Sequence, residues 1–183
     1  MREHDSGGKQ NRNIWAPWRM EYIETLSDSC ESGGGCFLCR AAEQGDRQQE
    51  NLVVWRGQHC LTVLNRYPYT GGHAMVAPVE HVGDMEALDD ATLLEMMHMV
   101  VDFQKVLQRA VHSQNFNIGI NIGRAAGAGL PGHLHVHIVP RWGGDTNFMD
   151  VLGDVRVIPV SLEDIYKQIT ATAAQMGLGP KTE

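Results

Sequence analysis

The 183-residue sequence lacks two features that would place it in common binding classes. No apolar run approaches the roughly 20 residues that a membrane-spanning helix needs. There is also no excess of basic residues, because 15 Lys and Arg stand against 22 Asp and Glu, for a formal net charge of -7. Nucleic acids and anionic membranes select basic surfaces. We therefore expect no nucleic-acid or membrane partner, although a local pocket can still hold a small anion.

A hydrophobic leader is also absent from the start of the sequence. Residues 1–13 are polar and contain glycine, which predicts a disordered arm rather than a secretory signal. A cytoplasmic location is therefore the expectation, and there cysteines serve as thiols or metal ligands rather than as disulfides. Cys30 and Cys60 stand apart, whereas Cys36 and Cys39 form a Cys-x-x-Cys pair that offers two of the four ligands of a structural zinc. A reduced pair without metal is the alternative.

Residues 14–183 show no internal repeat and no firm domain boundary, so we predict a single domain with a C-terminal extension. Short apolar runs predict strands at 52–56, 60–64, 73–77, 116–121 and 133–139. Helices are predicted at about 40–44, 90–112 and 161–176, with Asp89 or Asp90 as the cap of the long one. The fold class is therefore α+β, an antiparallel sheet of about five strands with one long helix and a C-terminal helix.

The long helix carries apolar residues at helical spacing, which predicts one stripe that faces the core. Its members are Leu93, Leu94, Met97, Val100, Val101, Val106 and Leu107. Three methionines of the same helix are interpreted as residues that fill the core: Met96, Met97 and Met99.

Three histidines alternate with apolar residues from His133 through His135 to His137. Successive side chains of a strand point to opposite faces, so this pattern predicts three imidazoles on one face. Such a row is costly in a plain core, because each ring needs both a hydrogen-bond donor and an acceptor. Before it lies a loop rich in glycine and alanine, at 121–132, whose backbone N–H groups can face an anion. Together they predict a phosphate cradle beside a nucleophile or a metal.

The strand resembles the signature of the histidine triad (HIT) family, His-φ-His-φ-His-φ-φ with φ apolar. A second block, Leu-Asn-Arg-Tyr-Pro at 64–68 followed by Gly-His-Ala-Met-Val-Ala-Pro at 72–78, also resembles the family. The likeness extends roughly from Cys36 to Trp142 and implies a HIT-like fold. The segments at 14–20 and 140–148 resemble the bacterial branch that contains diadenosine tetraphosphate (Ap4A) phosphorylases.

The resemblance implies a covalent mechanism. His135 would attack the α-phosphorus of a nucleotide ester or anhydride, and a second acceptor would then take the nucleotidyl group from the histidine. Imidazole suits this role because it is a good neutral nucleophile near pH 7. The resemblance also implies that His137 donates to a phosphate oxygen and that His73 supports the triad. For His73, a buried histidine satisfied by hydrogen bonds and without a catalytic part is the alternative.

The resemblance further implies a set of substrate-binding positions. Asn65 matches the position that holds ribose hydroxyls, although a turn residue is the alternative. The phosphate-binding loop corresponds to Asn121 and the backbone of Gly127, Ala128 and Gly129. Trp142 is a candidate for stacking on a base, with packing at a strand end or at an interface as the alternative.

A complete zinc site is also implied by the resemblance. Several HIT branches bind zinc with a Cys-x-x-Cys pair, a histidine after the proline of the second block and the histidine that opens the triad. The corresponding residues are Cys36, Cys39, His81 and His133. A divalent cation such as magnesium is a further expectation, as a companion of the substrate's polyphosphate.

The second acceptor decides the reaction. Several HIT hydrolases carry Gln-Ser or Gln-Thr before the triad, where this chain has Ala128 and Gly129; the missing side chains leave room for inorganic phosphate, with Arg124 nearby. This favours an Ap4A phosphorylase, which makes ATP and ADP. Because Gly129 stands where mycobacterial-type phosphorylases have serine, a dinucleoside-polyphosphate or nucleoside-phosphoramidate hydrolase is the alternative. A non-catalytic, zinc-stabilised nucleotide-binding module is another alternative.

Family members are commonly homodimers, so a homodimer or higher homo-oligomer is expected.

Overall fold

A computed structural model of the chain describes residues 35–45, 47–145 and 158–178. Its helices and strands follow one another as α1 (Phe37–Glu43), β1 (Val53–Arg56), β2 (Cys60–Leu64), β3 (Ala74–Pro78), α2 (Asp90–Ala110), β4 (Asn115–Ile120), β5 (Val136–Arg141) and α3 (Leu162–Gln175). Short 3₁₀ helices lie at Met85–Ala87 and Arg124–Ala126. The predicted arm at 1–13, the segment at 14–20, Cys30 and the end of the 140–148 segment lie outside the described residues.

The strands form one antiparallel sheet in the order β1-β2-β3-β5-β4. This confirms the predicted α+β class with five strands, a long helix and a C-terminal helix. Strand β5 lies inside the sheet, between β3 and β4, so side chains on it are held from both sides. Among the described helices, none has both the length and the apolar character needed to cross a bilayer.

The two faces of the sheet bury different clusters. Along β2, Leu64 belongs to the cluster that contains α2 and α3, whereas Val63 belongs to the cluster that contains α1. Met75 of β3 lies in the α1 cluster and pairs with His137 of β5. Because directly paired residues of antiparallel strands share a face, His137 lies on the α1 face of the sheet.

Helix α2 begins as predicted, because the Asp89 carboxylate accepts the Thr92 N–H at 2.8 Å. The predicted core stripe is partly wrong. Leu94, Met97 and Val101 are between 45% and 60% exposed, so Met97 is not core filler. The helix carries two apolar stripes, and the sheet packs against the one whose buried members are Met96, Met99, Val100, Phe103, Val106, Leu107 and Ala110.

Strand β5 corrects the predicted bounds of 133–139. His133 and His135 precede the strand, because the His133 N–H donates to Leu130 O and the Leu134 N–H donates to Val82 O before the ladder begins. The strand also continues through Pro140 to Arg141, beyond the predicted end at residue 139. Pairing with β3 covers Val136 to Ile138, so the missing proline N–H lies beyond that ladder, where β5 pairs with β4.

Candidate active site

His135 lies just before β5 and is 5% exposed. Its Nδ1 is 2.8 Å from the carbonyl oxygen of His133. A carbonyl can only accept, so Nδ1 carries the proton and Nε2 keeps its lone pair. Burial lowers the pKa of His135, against the opposing effect of the hydrogen bond to His133. The ring is therefore neutral with an unprotonated Nε2, which is the state that a nucleophilic histidine requires.

The turn before β3 fixes which ring nitrogens of His73 and His137 carry protons. The Tyr69 N–H donates to His73 Nδ1 at 3.1 Å, so this nitrogen accepts and the proton lies on Nε2. His73 Nε2 is 3.0 Å from His137 Nδ1 and therefore donates to it. Burial, followed by the neighbouring His137 and His135, lowers the pKa of His73 to about 3. His73 thus stays a neutral donor, and a neutral His137 carries its proton on Nε2.

His135 lies next to His137, which links the nucleophile to the His73–His137 pair. The rings of His135 and His137 lie 4.7 Å apart, nearly perpendicular at 79°. One ring offers a lone pair and its neighbour offers an N–H, which is the pairing that nucleophilic attack on a phosphoryl centre needs. The structure therefore brings together the three histidines predicted as catalytic, His73, His135 and His137.

Tyr69 is a site residue that the sequence reasoning missed. Its ring stacks on His73 with centroids 4.7 Å apart and planes 22° apart, and it lies 6.4 Å from the ring of His137. The Thr70 hydroxyl donates to Pro140 O and the His73 N–H donates to Thr70 O, which ties the turn to β5. The available signal was the Tyr-Pro-Tyr turn, which places an aromatic ring four residues before the histidine.

Asn65, predicted to bind ribose, lies beside the triad and also shapes this turn. Its Oδ1 accepts the Tyr67 N–H at 2.9 Å, and its Nδ2 is 3.4 Å from His73 Nδ1. The turn role considered as the alternative is therefore present in the structure. Contact with ribose stays a prediction.

The predicted phosphate loop is a compact turn before the triad. The Asn121 side chain donates to Gly127 O at 3.4 Å, so these two predicted substrate residues lie together. Gly127 has φ +84° in the left-handed region that favours glycine. Ala128 is buried and Gly129 is half-buried. Within the turn, the Gly127 N–H donates to Arg124 O and the Ala128 N–H donates to Gly123 O. The loop therefore carries no long side chain at Gly127, Ala128 or Gly129, and contact of its backbone with phosphate stays a prediction.

Trp142 is fixed at the far end of β5. Its indole N–H donates to Val111 O at the end of α2, and its backbone N–H donates to Asp145. Arg141 holds the same Asp145 carboxylate through Nε and Nη2, at 2.6 and 2.8 Å. The packing alternative is thus observed for Trp142, and stacking on a base stays a prediction.

The four predicted metal ligands converge. Cys36 caps α1, Cys39 lies in its first turn, His81 follows β3, and His133 precedes β5. Their ligand atoms all lie within 4.8 Å of one another. Sγ of Cys36 is 3.2 Å from Nδ1 of His133, and Sγ of Cys39 is 3.1 Å from Nδ1 of His81. Ligand atoms around a tetrahedral zinc are separated by about 3.3–3.8 Å, so this donor set fits zinc.

The outer contact of His133 also fits a metal site. Its Nε2 lies 2.8 Å from Pro78 O and must donate there, which leaves Nδ1 unprotonated toward the cysteines. Cys36, Cys39 and Cys60 are free thiols.

Comparison with known proteins agrees with this geometry. A family model described as the HIT domain matches residues 46–144. The chain belongs to the HIT family. This HIT protein is 37% identical, over 168 residues, to the AP-4-A phosphorylase of Mycobacterium tuberculosis strain H37Rv, covering 91% of this chain and 86% of the relative. The resemblance to the Ap4A phosphorylase-like branch is thereby confirmed.

Two further comparisons are informative for this HIT protein. The asymmetrical bis(5'-nucleosyl)-tetraphosphatase of Schizosaccharomyces pombe is 31% identical over 100 residues, which are 55% of this chain and 54% of the relative. The crystal structure of a Zn-bound histidine triad family protein from Mycobacterium smegmatis matches with a TM-score of 0.64 at 27% identity, covering 79% of this chain and 96% of that one. The protein is therefore a nucleotide-processing enzyme of the HIT family, of the transferase or hydrolase type.

Proposed function

We propose that this HIT protein transfers a nucleotidyl group from dinucleoside polyphosphates through a covalent nucleotidyl-His135, as an Ap4A phosphorylase that converts Ap4A and phosphate into ATP and ADP. The observation that carries the proposal is the pairing of the unprotonated Nε2 of His135 with the proton-bearing Nε2 of His137. The 37% identity to a protein named AP-4-A phosphorylase supports this choice of substrate.

In the first half-reaction, the Nε2 lone pair of His135 forms a bond to the α-phosphorus of Ap4A. The bond between that phosphorus and the bridging oxygen breaks, and ATP departs with the electron pair. The ring keeps its Nδ1 proton on the carbonyl of His133, which stabilises the positive charge that the imidazole acquires. The Nε2 proton of His137 and the N–H of Gly129 in the loop would stabilise the charge on the phosphoryl oxygens.

In the second half-reaction, an oxygen of inorganic phosphate attacks the same phosphorus. The phosphorus–nitrogen bond breaks, its electron pair returns to Nε2 of His135, and ADP is released. Buried Ala128 and side-chain-free Gly129 support phosphate as the acceptor, since neither fills the loop with a long side chain. The proposal has three further parts. Asn65 binds the ribose, Trp142 stacks on a base, and a magnesium ion accompanies the polyphosphate.

The test is product formation from Ap4A by the purified protein, with and without phosphate, together with the mass of the protein after acid-free quenching. We expect phosphate-dependent ATP and ADP, a mass increase of one adenylyl group on His135, and no adduct in His135→Ala. The control is His98→Ala, which changes an exposed histidine of α2. Turnover independent of phosphate would favour the hydrolase alternative, which the identity to the S. pombe tetraphosphatase supports. Absence of an adduct in the wild type would favour the non-catalytic module.

We also propose that the cluster of Cys36, Cys39, His81 and His133 holds a structural zinc. The support is the convergence of four ligand atoms of zinc-type chemistry and the Zn-bound relative from M. smegmatis. With two thiolates and two imidazoles the site is closed, so zinc would supply cross-linking and no open position for substrate.

A homodimer and a cytoplasmic location complete the proposal. Strand β4 is an edge of the sheet, and Ile118 and Ile122 at and beyond it are 41% and 46% exposed. Exposed apolar edges are sites of strand pairing. Sedimentation equilibrium that gives the mass of one chain would overturn the dimer, and cell fractionation tests the location.

A further inference from the structure

The turn before β3 decides where the His73–His137 pair carries its protons. The Tyr69 N–H donates to His73 Nδ1 at 3.1 Å, and the amide nitrogen of Asn65 is farther from the same atom, at 3.4 Å. His73 Nε2 then donates to His137 Nδ1 at 3.0 Å. A neutral imidazole carries one proton, on either ring nitrogen. If the Tyr69 N–H moved away, Nδ1 of His73 could take that proton and the direction of the hydrogen bond in the pair would reverse.

Such a reversal would change the group that His137 offers to substrate. With Nε2 of His73 as an acceptor, His137 would carry its proton on Nδ1 and leave its own Nε2 bare. The proposed transfer needs an N–H of His137 for the phosphoryl oxygens, beside the unprotonated Nε2 of His135. The reaction therefore depends on what holds the Tyr69 N–H in place.

Packing alone does not fix this turn. A cavity of about 190 Å³ lies against it, lined by turn residues that include Pro68 and Gly71 and by Ile165 of α3. Elsewhere the turn is tight, because Gly72 has φ +86° and an added Cβ there would lie 3.0 Å from Leu107 Cδ2 of α2. The turn therefore has space to move toward the cavity, unless a directed bond holds it.

Thr70 makes that bond. Its side chain is buried, and its hydroxyl donates to Pro140 O of β5 at 3.0 Å, across 70 positions of sequence. Its carbonyl accepts the His73 N–H at 3.1 Å. Strand β5 also carries His137, so this bond fixes the turn that orients the donor of the pair relative to the strand that carries its acceptor.

We propose that Thr70 is a positioning residue for the transfer, which keeps the proton of His73 on Nε2 and so makes His137 a donor toward the phosphoryl group. The role in catalysis rests on the proposed function, whereas the control of the His73 proton does not. Thr70 acts through its neighbours, since its hydrogen bonds in the described part of the chain go to Pro140 and His73.

The test is Thr70→Val, which removes the hydroxyl and keeps the shape of the side chain. We expect the rate of adduct formation on His135 at saturating Ap4A to fall about fivefold to tenfold, the factor by which one hydrogen bond biases an equilibrium. The KM for Ap4A should change by less than about twofold, since the lost interaction acts on the chemical step. Thr70→Ser keeps the hydroxyl and should restore the rate. Thr62→Val is the matched control, because Thr62 is a buried threonine whose hydroxyl has no hydrogen-bond partner among the described residues.

The tautomer of His73 is the readout that a merely structural role would not move. NMR of protein with ¹⁵N-labelled histidine shows which ring nitrogens carry protons. Near neutral pH we expect the wild type, Thr70→Ser and Thr62→Val to carry the His73 proton on Nε2. Thr70→Val should carry it partly on Nδ1. Thr70→Ala, which also lacks the hydroxyl but is smaller, is the second variant if Thr70→Val does not fold.

The outcomes separate this inference from the proposed function. A wild-type tautomer of His73 in the variants without the hydroxyl would overturn it, even if their rate falls. A wild-type rate in these variants, or a Thr70→Ser variant as slow as Thr70→Val, would overturn it as well and leave nucleotidyl transfer intact. If the wild type forms no adduct on His135, the proposed transfer fails, and the tautomer alone then decides whether Thr70 controls the proton of His73.

Discussion

The imidazole of His73 is enclosed by the turn that precedes it and by His137. Its Nδ1 already accepts the Tyr69 N–H and its Nε2 faces His137. A second proton on the ring would have to be placed on Nδ1, against that N–H and in a site that is 1% exposed. The depressed pKa of about 3 is the consequence, with burial as its largest cause.

A pH-dependent stability follows from this depressed pKa. The ordinary pKa of histidine is 6.5, so between that value and about 3 the unfolded chain binds a proton at His73 that the folded chain does not. The free energy of unfolding therefore falls as pH falls through this window, with a slope for one group of at most about 1.4 kcal/mol per pH unit. We expect His73→Gln to show a shallower slope than the wild type.

Urea denaturation at a series of pH values from about 7 to 4 measures the slope. His98→Gln, at an exposed position of α2, should reproduce the wild-type slope. Equal slopes in His73→Gln and in the wild type would contradict the assignment of a neutral, buried His73.

At the scale of elements, α2 ends on a residue with an unfavourable backbone. Val111 is its C-cap, and His112 follows with φ +53°. The left-handed region costs a residue with a Cβ roughly 1–2 kcal/mol, whereas glycine adopts it freely. This cost is retained in the native chain because the next residue, buried Ser113, is hydrogen-bonded to Arg141 O and so directs the chain into β4.

We expect His112→Gly to stabilise the fold by about 1 kcal/mol, because the left-handed conformation becomes free of steric cost. The measurement is the free energy of unfolding in urea. His98→Gly inside α2 is the matched control and should destabilise by roughly 0.5 kcal/mol, since glycine is less favourable than histidine within a helix. A loss of stability in His112→Gly would mean that the histidine side chain stabilises the helix end.

At the scale of the whole molecule, the cluster of Cys36, Cys39, His81 and His133 brings distant parts of the chain together. Cys36 and His133 are 97 positions apart in sequence and 3.2 Å apart in space. The same His133 carries the carbonyl that accepts the Nδ1 proton of His135. Helix α1, the segment after β3 and the segment before β5 therefore meet two residues from the proposed nucleophile, where the proposed zinc would cross-link them.

Loss of zinc should weaken the fold and slow the transfer. We expect Cys36→Ser to lose the metal and at least about 2 kcal/mol of stability, which corresponds to a fall in Tm of about 4–8 °C. The rate of His135 adduct formation should fall as well, since His133 loses a restraint on its position. Metal content per chain, calorimetry and the adduct rate are the measurements.

The matched control for the metal site is Cys60→Ala, which removes a buried thiol that lies outside the cluster. It should leave the metal content at one per chain. A wild-type protein without bound zinc, or a Cys36→Ser variant with unchanged metal content, would contradict the proposed site.

The sequence by itself determined features whose cause is local. Short apolar runs predicted the five strands, an aspartate at 89 or 90 was predicted to cap α2, and the spacing of His135 and His137 predicted two imidazoles side by side. These follow from bond geometry over a few residues, so a short window of sequence contains the information. The resemblance to the HIT family implied one zinc site made of Cys36, Cys39, His81 and His133. The structure brings these four residues together.

Only the tertiary structure decided features that depend on distant partners. Which stripe of α2 is buried depends on the sheet and α3, so Met97 is exposed while Phe103 is enclosed. The contact of Trp142 with Val111 and the stacking of Tyr69 on His73 likewise depend on how β5 and the turn before β3 are placed. The physical reason is that several apolar or aromatic arrangements satisfy the local pattern equally well. The free energy of packing against elements far away in the chain selects one of them.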